Sequence, residues 1–172
     1  MAIILGVDPG SRVTGYGVIN SVGNKLQYID CGCIRTESKS FPERLLTIFD
    51  ELNTLIERHV PQQAAVEEVF MGRNASSALK LGQARGSAMV ACLTHQLEVA
   101  EYSARQVKQA VVGSGAADKS QVQHMVKALL GISDTLAEDA ADALAVAICH
   151  ANTHASLVRM AGAKSFSRKR LR

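Results

Sequence analysis

No run of apolar residues in this 172-residue chain approaches the ~18 needed to cross a bilayer as a helix, which speaks against an integral helical membrane protein. The start lacks a basic region ahead of an apolar stretch of signal-peptide length, so no secretory leader is expected. The four cysteines (Cys31, Cys33, Cys92 and Cys149) show no CxxC spacing and sit in apolar segments. Reduced core thiols in a cytoplasmic protein are therefore expected. No internal repeat of ~20–50 residues is visible, and the one compositionally biased segment is the C-terminal tail. Tryptophan is absent, and tyrosine and phenylalanine together supply seven rings. Finally, acidic residues are missing after Val158, where Arg159, Lys164, Arg168, Lys169, Arg170 and Arg172 follow one another unopposed.

What is present fits a soluble globular chain of 47% hydrophobic residues and mean hydropathy +0.06. Its length supports a single core. We expect one domain over residues 1–155 and a basic, disordered tail over 156–172, which acts at most as an electrostatic helper. The net charge of +3 hides an uneven distribution. Residues 1–158 carry 13 basic against 16 acidic groups, yet from Arg73 to Lys127 seven basic residues face Glu98, Glu101 and Asp118 alone. A basic middle and a basic tail point to a polyanionic partner.

Hydrophobic periodicity predicts strands over 3–8, 14–20 and 25–35, an amphipathic helix over 42–59 and a strand over 64–69. A long Ala- and Leu-rich helix over 74–95, a strand over 97–101 and helices over 104–112, 119–130 and 138–154 complete the pattern. The order βββ-α-β-α-β-α-α-α describes an α/β sandwich with a five-stranded mixed sheet. Three antiparallel strands are joined by short turns, and two parallel strands are added through helical crossovers. In such sheets, sites form at the carboxyl ends of parallel strands.

Three acidic positions stand in apolar settings. Asp8 closes the strand IILGVD, where a bland role is also open, since an Asp before Pro-Gly can hold its own turn. In AAVEEVF, alternation lets only one of Glu67 and Glu68 face a site, and spacing does not choose between them. In EDAADALAVAICH, Asp139 and Asp142 are three apart on one helix face among small alanines. Asp139 also has the ordinary role of an acid at a helix N-terminus. Carboxylates gathered ~4 Å apart repel by ~4 kcal/mol per pair at an effective dielectric near 20. Hard divalent cations resolve that repulsion, and Mg²⁺ is the usual one for phosphate chemistry. The pair His150 and His154 near Cys149 lacks a second ligand pair for zinc, and no Ser/His/Asp or Cys/His nucleophile has a sequence anchor.

Four segments together, IILGVDPGSRVTGYGVI, AVEEVFMGRNASSALKLGQARG, ARQVKQAVVGSGAADKSQVQHMV and EDAADALAVA, closely resemble the RuvC family of bacterial Holliday junction resolvases. The likeness covers roughly residues 2–150. It implies an RNase H-like fold with four acidic metal ligands and catalytic groups, which fall on Asp8, Glu67, Asp139 and Asp142; the family's glutamate aligns with Glu67 rather than Glu68. It implies two Mg²⁺ ions per site, with Mn²⁺ as a substitute, Asp8 bridging the ions, and products ending in 5′-phosphate and 3′-hydroxyl. It further implies a homodimer that cuts two opposed strands of a four-way DNA junction during recombination and repair, beside the branch-migration proteins RuvA and RuvB. Phe70, otherwise an ordinary core ring, matches an aromatic that contacts DNA. Lys108 and Lys119, flanking a glycine-rich loop that reads as flexible, match phosphate contacts, and Arg73 is a further DNA-binding candidate. Gly82 and Gly86 weaken the long helix by up to ~1 kcal/mol each relative to alanine, which close approach of another helix, as in a dimer, would justify.

Two other functions remain to be weighed. A phosphotransferase of the actin and sugar-kinase kind shares the VDPG turn, but it clasps its nucleotide between two such domains and this chain has length for one. A non-catalytic junction-binding protein has no need of four mutually repelling carboxylates.

Overall fold

The computed structural model describes residues 1–69, 74–160, 162, 166–167 and 170–171. Strands β1 (Ala2–Asp8), β2 (Val13–Val22) and β3 (Lys25–Arg35) form an antiparallel meander. β4 (Gln63–Glu67) lies parallel to β1, and β5 (Glu98–Tyr102) lies parallel to β4, giving the order β3-β2-β1-β4-β5. Helix α1 (Phe41–His59) carries the crossover from β3 to β4, and α2 (Ala75–Thr94) the one from β4 to β5. Helices α3 (Ala104–Val112), α4 (Lys119–Leu130) and α5 (Glu138–Met160) follow.

The period-2 alternation of β1 sorts its side chains to two cores. Leu5 and Val7 pack with Ile48, Leu52 and Ile56 of α1 and Ala84 and Ala88 of α2. Ile4 faces the other way, into a core shared with Val107, Val111, Val122, Val126, Leu144 and Ile148 of α3, α4 and α5. The sheet is thus sandwiched, and the α5 side of it carries Asp8 and Glu67, which fall in phase with Ile4 and with the buried Ala65.

Helix α5 lies unusually close to this face. Gly6 and Gly17 are partners across β1 and β2. A Cβ on Gly6 would come within 2.2 Å of the Ala143 carbonyl oxygen, and one on Gly17 within 2.7 Å of the Leu144 side chain. With Ala140, Ala141, Ala143, Ala145 and Ala147 all buried, the start of the helix rests directly on the glycines of β1 and β2, and this draws its first turns toward the ends of β1 and β4.

The helix starts are written locally. Ser40 with Glu43, Ser103 with Gln106, and Asp118 with Gln121 form capping boxes at α1, α3 and α4, satisfying orphan N–H groups of each first turn. Gly113 and Gly131, both left-handed, end α3 and α4.

Observed bounds differ from expectation in a few places. β4 ends at Glu67 rather than residue 69, and α5 continues past His154 to Met160, so the domain boundary expected at 155/156 falls inside a helix. A two-stranded antiparallel ladder, β6 (Phe166–Ser167) with β7 (Arg170–Leu171), follows it. The stretch between α3 and α4 is knitted by hydrogen bonds: the Gly115 N–H donates to Gln109 Oε1, Gln109 Nε2 to the Gly113 carbonyl, and the Ala117 N–H to the Ser114 carbonyl. No helix among the described residues is long and apolar enough to cross a membrane.

Candidate active site

The turn after Asp8 is held by a different residue. Buried Thr14 accepts from the Gly10 N–H at 3.2 Å and donates to the Gly10 carbonyl at 3.0 Å. The Asp8 side chain lines instead a cleft of about 280 Å³ together with Glu67, Lys108, Lys119, Val122 and Asp142. They come from five elements: the ends of β1 and β4, the middle of α3, the start of α4 (Lys119 and Val122) and the second turn of α5. Apolar walls from Ala104, Val107, Val122 and Ala145 lower the local dielectric and strengthen every charge interaction inside.

Desolvation raises the Asp8 pKa to about 8, helped by the charges of Glu67, Asp142 and Asp139, while Lys119 works the other way. Glu67 is raised to about 7, again by burial first and then by Asp142, with Lys119 and Lys108 opposing. Burial raises Asp142 too, against the pull of Lys119. All three carboxyl groups are thus held above their ordinary range, because nothing in the protein alone neutralises them fully.

The two glutamates separate as alternation requires. Glu67 is half-buried on the α5 face, whereas Glu68 lies beyond the strand end and is exposed, its N–H donating to the Tyr102 carbonyl. Asp139 does not line the cleft; its charge is nevertheless felt at Asp8 and at Cys33, whose sulfur accepts from the Ala140 N–H. Phe70 and Arg73 lie outside the described residues. Lys108 and Lys119 both reach the cleft wall.

Some contributors escaped the sequence reading. Lys119 Nζ contacts Asp142 Oδ2 at 3.4 Å and, more closely, Glu138 Oε1. The i, i+4 spacing of Glu138 and Asp142 was the available signal. Behind Glu67, Tyr102 pairs with it across β4 and β5. The Tyr102 hydroxyl donates to His150 Nδ1 at 2.9 Å, and His150 Nε2 donates to Gln63 Oε1 at 3.2 Å. Burial pushes the His150 pKa down to about 4, so this imidazole is a neutral strut with both nitrogens engaged, and its pairing with His154 is a tilted ring contact at 6.2 Å.

Oxygen-only, anionic donors suit a hard divalent cation in charge and in chemistry. Among the described residues no three His, Cys, Asp or Glu side chains stand close enough to cage a cation as they lie. The donor set fits such an ion, and its side chains have to close on it.

A mixed sheet of order 3-2-1-4-5, three strands antiparallel and two parallel, with acids at the ends of its two central strands and on the helix packed across them, defines a protein of the RNase H-like class. The family model for the crossover junction endodeoxyribonuclease RuvC matches residues 4–150. Crossover junction endodeoxyribonucleases RuvC of Saccharophagus degradans and Marinobacter nauticus are 60% and 63% identical, the first over 99% of both chains, the second over 94% of this chain and 92% of its own. The solved Thermus thermophilus RuvC in complex with Holliday junction substrate superposes with a TM-score of 0.85 at 33% identity, covering 91% of this chain and 96% of that one. The chain belongs to the RuvC family of crossover junction endodeoxyribonucleases.

Proposed function

We propose that this protein resolves four-way DNA junctions as a homodimer, hydrolysing one phosphodiester bond in each of two opposed strands with the aid of Mg²⁺, for which Mn²⁺ substitutes. The observation that carries this reading is the cleft itself: Asp8, Glu67 and Asp142 on its floor and Lys108 and Lys119 on its wall, in a chain of this family. Asp8, Glu67, Asp142 and, from the turn before, Asp139 are the groups that would hold two ions. Bound there, the ions supply activation of the attacking water and neutralisation of charge on the leaving oxygen.

The chain's own residues do the rest. Lys108 and Lys119 offer ammonium groups to the phosphates on either side of the scissile bond, offsetting the repulsion between DNA and the carboxylates. The apolar walls limit water around the reacting phosphorus. The glycines under α5 keep the Asp142 backbone close to the end of β1, so that only side-chain movement is needed for the carboxylates to close on an ion. Phe70 and Arg73, which lie outside the described residues, are proposed to contact DNA.

Symmetric cutting needs two clefts. Leu79, Val90 and Leu93 of α2 are 70%, 51% and 55% exposed, and a Cβ on Gly82 or Gly86 would meet nothing within 4 Å. The spacing 79, 82, 86, 90, 93 places all five on one helix face, and we assign this face to the second copy. In the cytoplasm, RuvA and RuvB are the partners that fit this role.

The test is a synthetic four-way junction labelled on each strand. Paired nicks at symmetry-related positions that require Mg²⁺, vanish with a chelator and do not occur on linear duplex are expected. A stable gel shift without nicks under any divalent cation would establish the non-catalytic junction binder instead.

A further inference from the structure

Glu138 is one residue ahead of Asp139, outside the cleft lining, with a side chain 58% exposed where that of Asp142 is 21% exposed. Lying four apart on α5, the two carboxylates share a face. Between them sits the ammonium of Lys119, brought from the first turn of α4 by the Asp118 capping box. It bonds both: Glu138 Oε1 at the rim and Asp142 Oδ2 inside, the latter at 3.4 Å. A cation approaching Asp142 therefore meets an oxygen that already has a positive partner.

From this geometry we infer that Glu138 is a positioning residue for Lys119. The Lys119 ammonium is a resident counter-ion of Asp142 that a divalent cation has to displace, and Glu138 is the rim anchor that keeps hold of it when it yields. The inference rests on the metal reading of the cleft proposed above and adds to it a residue outside the four acids. Its physical content is a competition. While Glu138 is present, the ammonium gives up one of two carboxylate contacts on leaving Asp142, and it remains at the cleft mouth, where a phosphate passes. Without Glu138, Asp142 becomes the preferred partner and the cation faces a stronger competitor.

The experiment is titration calorimetry of Mn²⁺ into the full chain, without DNA and at one fixed pH, for wild type, Glu138→Gln, Lys119→Met and the double variant. Ion pairs this exposed are weak, so changes of about 1.4-fold to fivefold are expected. Glu138→Gln should weaken Mn²⁺ binding, Lys119→Met should tighten it, and Glu138→Gln should have little further effect once Lys119 is gone. That non-additivity is the signature of one residue acting through another. A Glu138→Gln penalty of equal size in the Lys119→Met background would mean a through-space charge effect and would overturn the inference, as would unchanged or tighter binding by Glu138→Gln alone. Absence of Mn²⁺ uptake by the wild type would overturn the metal reading, and the inference with it; normal uptake with an indifferent Glu138→Gln overturns the inference alone.

Discussion

The carbonyl oxygen of Asp139 lies where a side chain on Gly15 would begin: a Cβ there would come within 1.9 Å of it. Gly15 is the β2 partner of Asp8, so the same residue pair that ends β1 also seats the first turn of α5. Substituting Gly15→Ala has to push that turn off the sheet, carrying Asp139 and Asp142 away from Asp8. Because displacements near ~1 Å at a reacting centre can cost ~100-fold, junction nicking should fall by that order, while stability drops by only ~1–3 kcal/mol, the usual penalty of overpacking. Single-turnover nicking and a thermal melt on the same preparation check both. A variant that nicks at the wild-type rate would show that α5 is free to shift without consequence.

The raised pKa values of Asp8 and Glu67, about 8 and about 7, make stability depend on pH with a definite sign. Between the unfolded carboxyl range and these values the folded chain holds more protons than the unfolded one, so stability falls as pH rises. Metal-free protein should therefore melt higher at pH 5 than at pH 8.5, by on the order of 2 kcal/mol or about 4–8 °C. Adding Mn²⁺ should remove most of that difference, since the cation takes over the neutralising work of the protons. Melting curves in chelator and in Mn²⁺ at both pH values decide it. Equal melting temperatures in chelator would mean the two carboxyls are better solvated than their surroundings indicate.

Replacing Asp8→Asn keeps the shape and removes the ionisable group. Nicking should fall by at least ~1,000-fold, because the ions lose the carboxylate that faces both Glu67 and Asp142. Junction binding in chelator should persist or strengthen, as one fewer negative charge opposes the phosphates. The metal-free variant should also lose part of the pH dependence described for the wild type. Gel-shift and cleavage assays on one labelled junction read out the first two effects. Nicking within ~10-fold of wild type would remove Asp8 from its assigned role.

The elements and three acids of the cleft were legible because local chemistry agreed with the global fold. Hydrophobic periodicity marked the helices and strands, and a carboxylate ending an apolar strand announced Asp8. Glu67 against Glu68 was not decided by alternation alone, since choosing a phase requires knowing which face α5 covers; in the sequence it was the family likeness that chose. The Lys119 contacts were invisible because they join residues 19 and 23 apart across a loop, a distance no periodicity encodes. The continuation of α5 to Met160 was missed because Asn152, Thr153 and His154 interrupt its apolar stripe, although Asn152 donates to the Ala110 carbonyl and so ties the helix to α3. A Cβ on Gly82 or Gly86 would meet nothing within 4 Å among the described residues, so the close approach expected there has to come from a second copy.

Among the described residues Lys108 lines the cleft without an ion pair, and its charge is felt at Glu67. As a phosphate contact it should release about one counterion on binding. Lys108→Gln should therefore weaken junction binding at all sequences alike and lower the log–log salt slope by ~0.7–0.9. Fluorescence anisotropy of a labelled junction from low to moderate salt measures the slope directly. An affinity loss with an unchanged slope would indicate that Lys108 supports the cleft rather than touching DNA.

The exposed stripe on α2 bears on symmetric cutting. Leu79, Val90 and Leu93 leave large apolar side chains in water, a cost of ~25 cal/mol for each Å² that a second copy would recover. The two bare glycines between them allow helix backbones to approach closely. Introducing charges with Leu79→Glu and Val90→Glu should leave the fold intact, since neither residue belongs to the core clusters, but should shift the protein toward monomer at micromolar concentration in sedimentation equilibrium. The charged monomer should lose coordinated paired nicks: single nicks at one of the two symmetry-related positions should dominate, because two clefts no longer arrive together. A wild-type chain that sediments as a monomer throughout, or a doubly charged variant that remains a dimer, would move the second copy to another face of the molecule.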